Sequence, residues 1–201
     1  MSGIYYDEHR KYQIDLRKTI WSTDGLHELY RKTIGNELSD VDWIGETESA
    51  IYLIEFKTPT FTQDESFCKC NGCDCDAWKP NSSICGKCGK TVIKKAIKKN
   101  NYHEFIDKSR KKYYGSTFYL FAIGKSKPIK YYCVVNHSNA DRVWRNKATS
   151  AIKKRLPFDL QNAKGISYEL IDDFRVLSIS EWNELHPFSP LKLLNETEEI
   201  A

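Results

Sequence analysis

No stretch of the chain approaches the roughly 20 consecutive apolar residues that cross a bilayer. The opening MSGIYYDEHRKYQ also lacks the apolar core of a secretory signal peptide. Both absences lead to the expectation of a soluble, cytoplasmic (intracellular) protein with no membrane partner. There is no internal repeat and no Gly-x-x-x-x-Gly-Lys loop to cradle a nucleotide phosphate, and no order of Ser, His and Asp argues a nucleophilic triad. The five histidines (His9, His27, His103, His137, His186) are scattered, with no pair at metal-ligand spacing. Proline and glycine are sparse, 6 and 10 of 201 residues, which excludes collagen-like and low-complexity classes. With 40% hydrophobic and 13% aromatic residues, a chain of this size buries about 70% of its unfolded surface. One domain with a small insertion is therefore expected.

Net charge is also small: 31 Lys+Arg against 27 Asp+Glu leave +4. The mean hides an asymmetry. Residues 87–164 hold 20 basic and 4 acidic side chains, and the rest of the chain holds 11 and 23. A basic middle between acidic flanks points to an anionic partner such as nucleic acid. Cysteine is nearly absent outside one stretch: six of the seven fall within 68–88, and Cys133 stands alone in YYCVV as a small buried hydrophobe. In a reducing compartment, such crowding means metal ligands rather than disulfides.

The pattern predicts helix at 12–20 and, behind Thr23-Asp24 as a cap signal, at 26–34, where Gly35-Asn36 stops it. Strands are expected at 41–44 and 51–57 around the turn-rich 45–49. A basic helix is expected at 93–114, interrupted at Asn100-Asn101, and strands at 117–123 and 130–135, where aromatic and β-branched residues dominate. A helix capped by Ser138-Asn139 follows, then strands at 166–170 and 174–179, a last helix capped by Ser180 and an acidic tail. This mixing predicts an α/β architecture, a mixed sheet flanked by helices.

Asp42 falls on the first strand of the 41–57 hairpin, and Glu55 and Lys57 end the second. Alternation puts Glu55 and Lys57 on one face and Phe56 on the other. Antiparallel pairing across a short turn brings Asp42 beside Glu55. Like charges at the edge of an apolar sheet are costly unless compensated, and a hard divalent cation such as Mg²⁺ or Mn²⁺ compensates them while leaving positions for water and phosphate. Asp40 competes with Asp42, but the flanking Val41, Trp43 and Ile44 seat Asp42 more firmly in the strand.

The set Asp42, then Glu55-Phe56-Lys57 behind the apolar IYLI, resembles the PD-(D/E)XK nuclease superfamily, with topological likeness over about 26–135. The resemblance implies a restriction-endonuclease-like core and Mg²⁺-dependent hydrolysis of DNA phosphodiesters. It implies a metal held by Asp42, Glu55 and the Phe56 carbonyl, with Glu28 assisting from the preceding helix, and Lys57 serving the attacking water or the transition state. No Pro precedes Asp42, and Ser109 stands where some members carry Gln four residues before Tyr113. Members often dimerise to cut both strands, so a homodimer is compatible with the resemblance.

Within the cysteine segment, Cys85-x-x-Cys88-Gly has the form of a zinc-ribbon knuckle and Cys70-x-x-Cys73 is its best mate, a tetrahedral Cys₄ set for structural Zn²⁺. Cys68 and Cys75 remain as alternates, as members of a two-metal cluster or as plain thiols, and an iron–sulfur cluster is the competing reading. Metal affinity would supply the folding energy of such a segment. The expected organisation is 1–60 and 93–194 as two parts of one core, 61–92 as a zinc-ribbon-like insertion, and 195–201 as a flexible acidic tail. Lys87, Lys90, Lys94, Lys95, Lys98 and Lys99 beside the finger, with Arg110, Lys111, Lys112, Arg142 and Arg145, are the expected contacts to DNA, whether duplex, branched or single-stranded. The rival reading is a non-catalytic zinc-finger nucleic-acid-binding protein on the same scaffold; an RNA-directed nuclease is a third.

Overall fold

A computed structural model describes residues 3–7, 10–33, 38–57, 67–68, 94–95 and 101–194. The chain divides into two compact units, Met1–Pro59 with Tyr102–Ala201, and Thr60–Asn101. In the second, strands β6 (Phe67–Cys68) and β7 (Lys94–Lys95) pair antiparallel. The side chains of all six clustered cysteines (Cys68, Cys70, Cys73, Cys75, Cys85, Cys88), and of Lys87, Lys90, Lys94, Lys95, Lys98 and Lys99, lie outside the described residues. So does the 195–201 tail.

The first unit is α/β. Its elements are β1 (Ile4–Tyr6), β2 (Tyr12–Asp15), β3 (Trp21–Asp24), α1 (His27–Thr33), β4 (Trp43–Glu46), β5 (Ile51–Lys57), α2 (Asn101–Ala122), β8 (Ile129–Val135), α3 (Arg142–Lys153), β9 (Asp173–Ser178), α4 (Ile179–Leu185) and β10 (Leu191–Leu193). The central sheet runs β3-β4-β5-β8-β9. Its first three strands are antiparallel, while β5, β8 and β9 are parallel. Parallel neighbours need a crossover, and among the described residues the helix on the β5-to-β8 connection is α2. A smaller antiparallel sheet, β1-β2-β10, is hydrogen-bonded separately from the central one.

Alternation along β5 sorts its side chains between two layers. Ile54 and Phe56, with Tyr52 at the margin, join a cluster of Tyr12, Ile14, Leu16, Trp43, Tyr132, Val134, Leu177, Trp182 and Leu191. Burying a side chain of this size contributes about 1.5–3 kcal/mol, so this face anchors the small sheet and α4 to the central one. Leu53 and Glu55 take the opposite face, the face of α2, where the rings of Tyr113, Tyr131 and Phe174 pack tilted with centroids 5.9 and 5.0 Å apart. No helix among the described residues is long and apolar enough to cross a membrane.

Four expectations change. Residues 12–20 hold strand β2 and a turn instead of a helix, since Tyr12, Ile14 and Leu16 are buried at every second position. The expected helix at 93–114 and strand at 117–123 are replaced by the single helix α2, which begins at Asn101. Its buried Ile106, Ser109, Tyr113, Ser116, Thr117 and Leu120 recur with a helical period, and that burial overrides the β preference of TFYLFAI. Residues 166–170 form no strand and are largely exposed. The caps also move: Asp141 caps α3, accepting from Trp144 N, and Ser178 caps α4 in a capping box with Glu181.

Candidate active site

The β4–β5 register pairs Trp43 with Ile54, so the next step toward the open end sets Asp42 opposite Glu55. Asp42 sits one residue before β4 rather than inside it. It is tied down there: Asp42 Oδ2 accepts the Phe56 backbone N–H at 2.6 Å. The chain leading to it is fixed from both sides. Val41 N donates to Ser116 Oγ at 3.0 Å, and Tyr30 Oη donates to the Gly115 carbonyl at 2.6 Å. Gly115 permits this approach, because a Cβ there would meet the Ser39 carbonyl oxygen at 1.9 Å. Asp40, the competing carboxylate, is buried and accepts the Leu26 N–H at the start of α1. That contact satisfies a donor that helix geometry leaves open, and it leaves Asp42 as the hairpin carboxylate at the site.

Glu55 is fully buried. Its Oε2 accepts from Lys112 Nζ at 2.7 Å, and the same ammonium reaches Asp42 Oδ1 at 3.3 Å. Lys57 Nζ lies 2.7 Å from Glu55 Oε1 as an ion pair, but Oε1 takes no well-directed hydrogen bond among the described residues. Asp42 and Lys57 are each about one-third exposed at the side chain, so the cluster opens outward past them. Burial, and next the Asp42 charge, push the Glu55 carboxyl up to about 7, against the lowering pull of Lys112 and Lys57. Burial alone would lower the Lys112 ammonium; Glu55 and Asp42 outweigh it and raise it.

Beneath the carboxylate the sheet face is polar but closed. Cys133, the β8 partner of Glu55, is buried, and its Sγ is 3.4 Å from Tyr131 Oη and 3.6 Å from Ser109 Oγ. Burial, and next Glu55, push this thiol up to about 12, so it stays protonated and inert at neutral pH. Ser109 Oγ donates to the Phe105 carbonyl, and Tyr131 Oη to the Ser109 carbonyl. This network fixes α2 over β8 and thereby Lys112 over Glu55.

The structure thus brings Asp42, Glu55 and Lys57 together, with the Phe56 backbone between them. It does not bring Glu28. That carboxylate is exposed on α1 and pairs with Lys32 at 3.2 Å, because Glu28 and Leu29 stand on the solvent side of this short helix while Tyr30 is buried. Among the described residues, no group of three His, Cys, Asp or Glu gathers. Lys112, expected among phosphate contacts, is instead in the carboxylate cluster. Spacing alone does not single it out: Lys112 stands three residues after buried Ser109 and four before buried Ser116, but Arg110 likewise stands four after Ile106 and three before Tyr113. Lys111 and Arg142 are exposed, and Arg110 is partly so. Arg145 is engaged inside the fold, donating to the Ala140 carbonyl at 2.5 Å and to Glu181 Oε1 at 2.7 Å.

The donor set fits a hard divalent cation. Two carboxylates stand together, one fully buried with an oxygen lacking a directed donor, and the other opens to solvent; oxygen ligands of this kind are what Mg²⁺ prefers. No protein-family model matches the sequence, and neither a curated protein nor a solved structure matches it.

Proposed function

We propose that the chain is a Mg²⁺- or Mn²⁺-dependent DNA endonuclease or resolvase-like phosphodiesterase of the PD-(D/E)XK type, working inside the cell, with structural Zn²⁺ in its cysteine segment. The observation that carries the reading is the meeting of Asp42, Glu55 and Lys57 at the open end of the β4–β5 hairpin, with Glu55 raised to about 7 by burial and the neighbouring Asp42 charge. Such displacement of a buried carboxyl, beside the one-third exposed Asp42 and Lys57, is a mark of functional sites.

Asp42, Glu55 and the Phe56 carbonyl would hold the cation, which when bound supplies Lewis acidity toward the phosphodiester and its attacking water. Lys57, one-third exposed beside Glu55, is placed to neutralise charge on a phosphate oxygen as the bond breaks. The Asp42 carboxylate keeps its orientation through the Phe56 N–H. The exposed Lys111 and Arg142 are candidates for contacting the DNA backbone. Glu28 has no part in this assignment.

The decisive experiment incubates purified protein with supercoiled plasmid and with a four-way junction, under Mg²⁺, Mn²⁺ or EDTA, beside Lys57→Ala. Cation-dependent nicking or resolution that disappears in EDTA and in Lys57→Ala is expected. Binding without cleavage under every condition sinks the enzyme reading. It leaves the non-catalytic nucleic-acid-binding protein, in which the Lys112 bridge would keep the two carboxylates as a structural ion network.

A further inference from the structure

We infer that Lys112 is a resident counter-ion of the carboxylate site, a positioning residue that holds Asp42 and Glu55 together until a divalent cation replaces it and so sets the affinity for that cation. The inference rests on the metal-site reading above.

The ammonium sits between Asp42 Oδ1 and Glu55 Oε2, the same two carboxylates assigned to the metal. Both ammonium and metal are cations that need those oxygens, so their occupancies exclude each other. Without Lys112, Lys57 alone would compensate two carboxylates, one of them fully buried, and like charges so placed repel strongly. The site is also arranged to survive the exchange. Asp42 Oδ2 is held by the Phe56 N–H and Glu55 Oε1 is faced by Lys57, so each carboxylate keeps a second partner when Lys112 withdraws. The contact to Asp42, at 3.3 Å, is the looser of the two, and the lysine stem has the rotamers to withdraw along α2.

Charge gives the exchange a consequence. With Lys112 in place, two carboxylates face two ammonium groups. With a divalent cation between the carboxylates and Lys112 displaced but nearby, the site carries an excess of positive charge, which favours an arriving polyanion.

The test measures Ca²⁺ binding by calorimetry and melting temperature in EDTA and in Ca²⁺, using the full chain. Wild type is compared with Lys112→Met, Lys112→Gln and, to subtract cations held elsewhere, Asp42→Asn. Lys112→Met is expected to bind Ca²⁺ about tenfold more tightly than wild type, to melt lower in EDTA, and to recover most of that deficit in Ca²⁺. Lys112→Gln should move the same way, and it serves if the methionine variant does not fold without the cation. Variants that bind Ca²⁺ no more tightly than wild type, or whose lost stability Ca²⁺ leaves unrepaired, overturn the inference and make Lys112 a structural ion-pair partner. An identical isotherm for wild type and Asp42→Asn places no cation at the carboxylates and overturns the metal-site reading with it.

Discussion

The β4–β5 hairpin carries a buried glutamate near each end, and the two are compensated differently. Glu46, the last residue of β4, is nearly buried; its Oε2 pairs with Lys125 and its Oε1 with Lys127 at 2.8 Å. Burial raises its carboxyl, but the two lysines outweigh burial and leave it below the ordinary value. Glu55 also meets two lysines, Lys57 and Lys112, yet it ends up at about 7. Deeper burial is one cause and the neighbouring Asp42 is the other. One carboxylate with two ammonium groups is a finished structural ion cluster. Two carboxylates with two ammonium groups, one acid fully buried, form the cluster for which a divalent cation is proposed. Deeper burial and then the adjacent second acid, rather than lysine count, separate the Glu55 end from the Glu46 end.

Activity separates the two ends most strongly. Glu55→Gln and Lys57→Ala should each lower plasmid nicking by about 10²–10⁴-fold, the range for removing a positioned acid–base or charge-stabilising group. Glu46→Gln should leave it near wild type. Equal losses at both ends, in proteins that melt normally, would show that the hairpin acts only as scaffold.

Gly115→Ala tests what holds the Asp42 end in register. Alanine favours a helix interior by about 1 kcal/mol over glycine. A Cβ at 1.9 Å from the Ser39 carbonyl oxygen cannot be absorbed by a side-chain rotation, so backbone must move, and overpacking of that kind costs typically about 1–3 kcal/mol. A net drop in the urea midpoint is expected, with activity falling further than stability because Asp42 shifts with Ser39. A stabilised variant would mean that the close approach is not maintained in solution.

Much of this end could be read before the fold was known. The Asp42–Glu55 juxtaposition follows from turn length and strand alternation, both of which are local. Lys112 could not be placed so directly, because its role depends on α2 crossing the face of β5, a long-range packing. The run 117–123, rich in Thr, Phe, Tyr and Ile, looked like strand and cut that helix short. Its exposed Phe118, Phe121 and Ile123 supplied the misleading apolar signal. Glu28 was assigned by analogy of position on a preceding helix, and that helix turns its first-turn acid to solvent. Strand β10 and the β1–β2 pair are too short, at 3 to 4 residues, to stand out as patterns without their partners.

The pH dependence of stability should carry opposite signs at the two ends. For Glu55, raised from 4.5 to about 7, the folded state binds the proton more tightly than the unfolded chain. Its contribution therefore weakens as pH climbs through that window in metal-free buffer, by on the order of 3 kcal/mol. Urea midpoints between pH 4.5 and 8 in EDTA should decline from this source, and Glu55→Gln should flatten the decline. A slope unchanged in Glu55→Gln assigns the proton to another group.

Glu46 supplies the smallest and most discriminating measurement. Lys125 and Lys127 hold its carboxyl below the ordinary value of 4.5, so the folded state binds the proton less tightly than the unfolded chain. Its stabilising contribution is complete above that value and is lost as pH falls through the lowered one. Because both lysines are about one-third exposed, solvent screens the pairs, and Glu46→Gln should cost about 1 kcal/mol at pH 7. The cost should shrink toward zero in acid, where Glu46 is protonated in both states. If Glu46→Gln instead gained stability between pH 5 and 7, the Glu46 end would share the frustration of the Glu55 end, and deeper burial with a second carboxylate would no longer be what distinguishes the two ends.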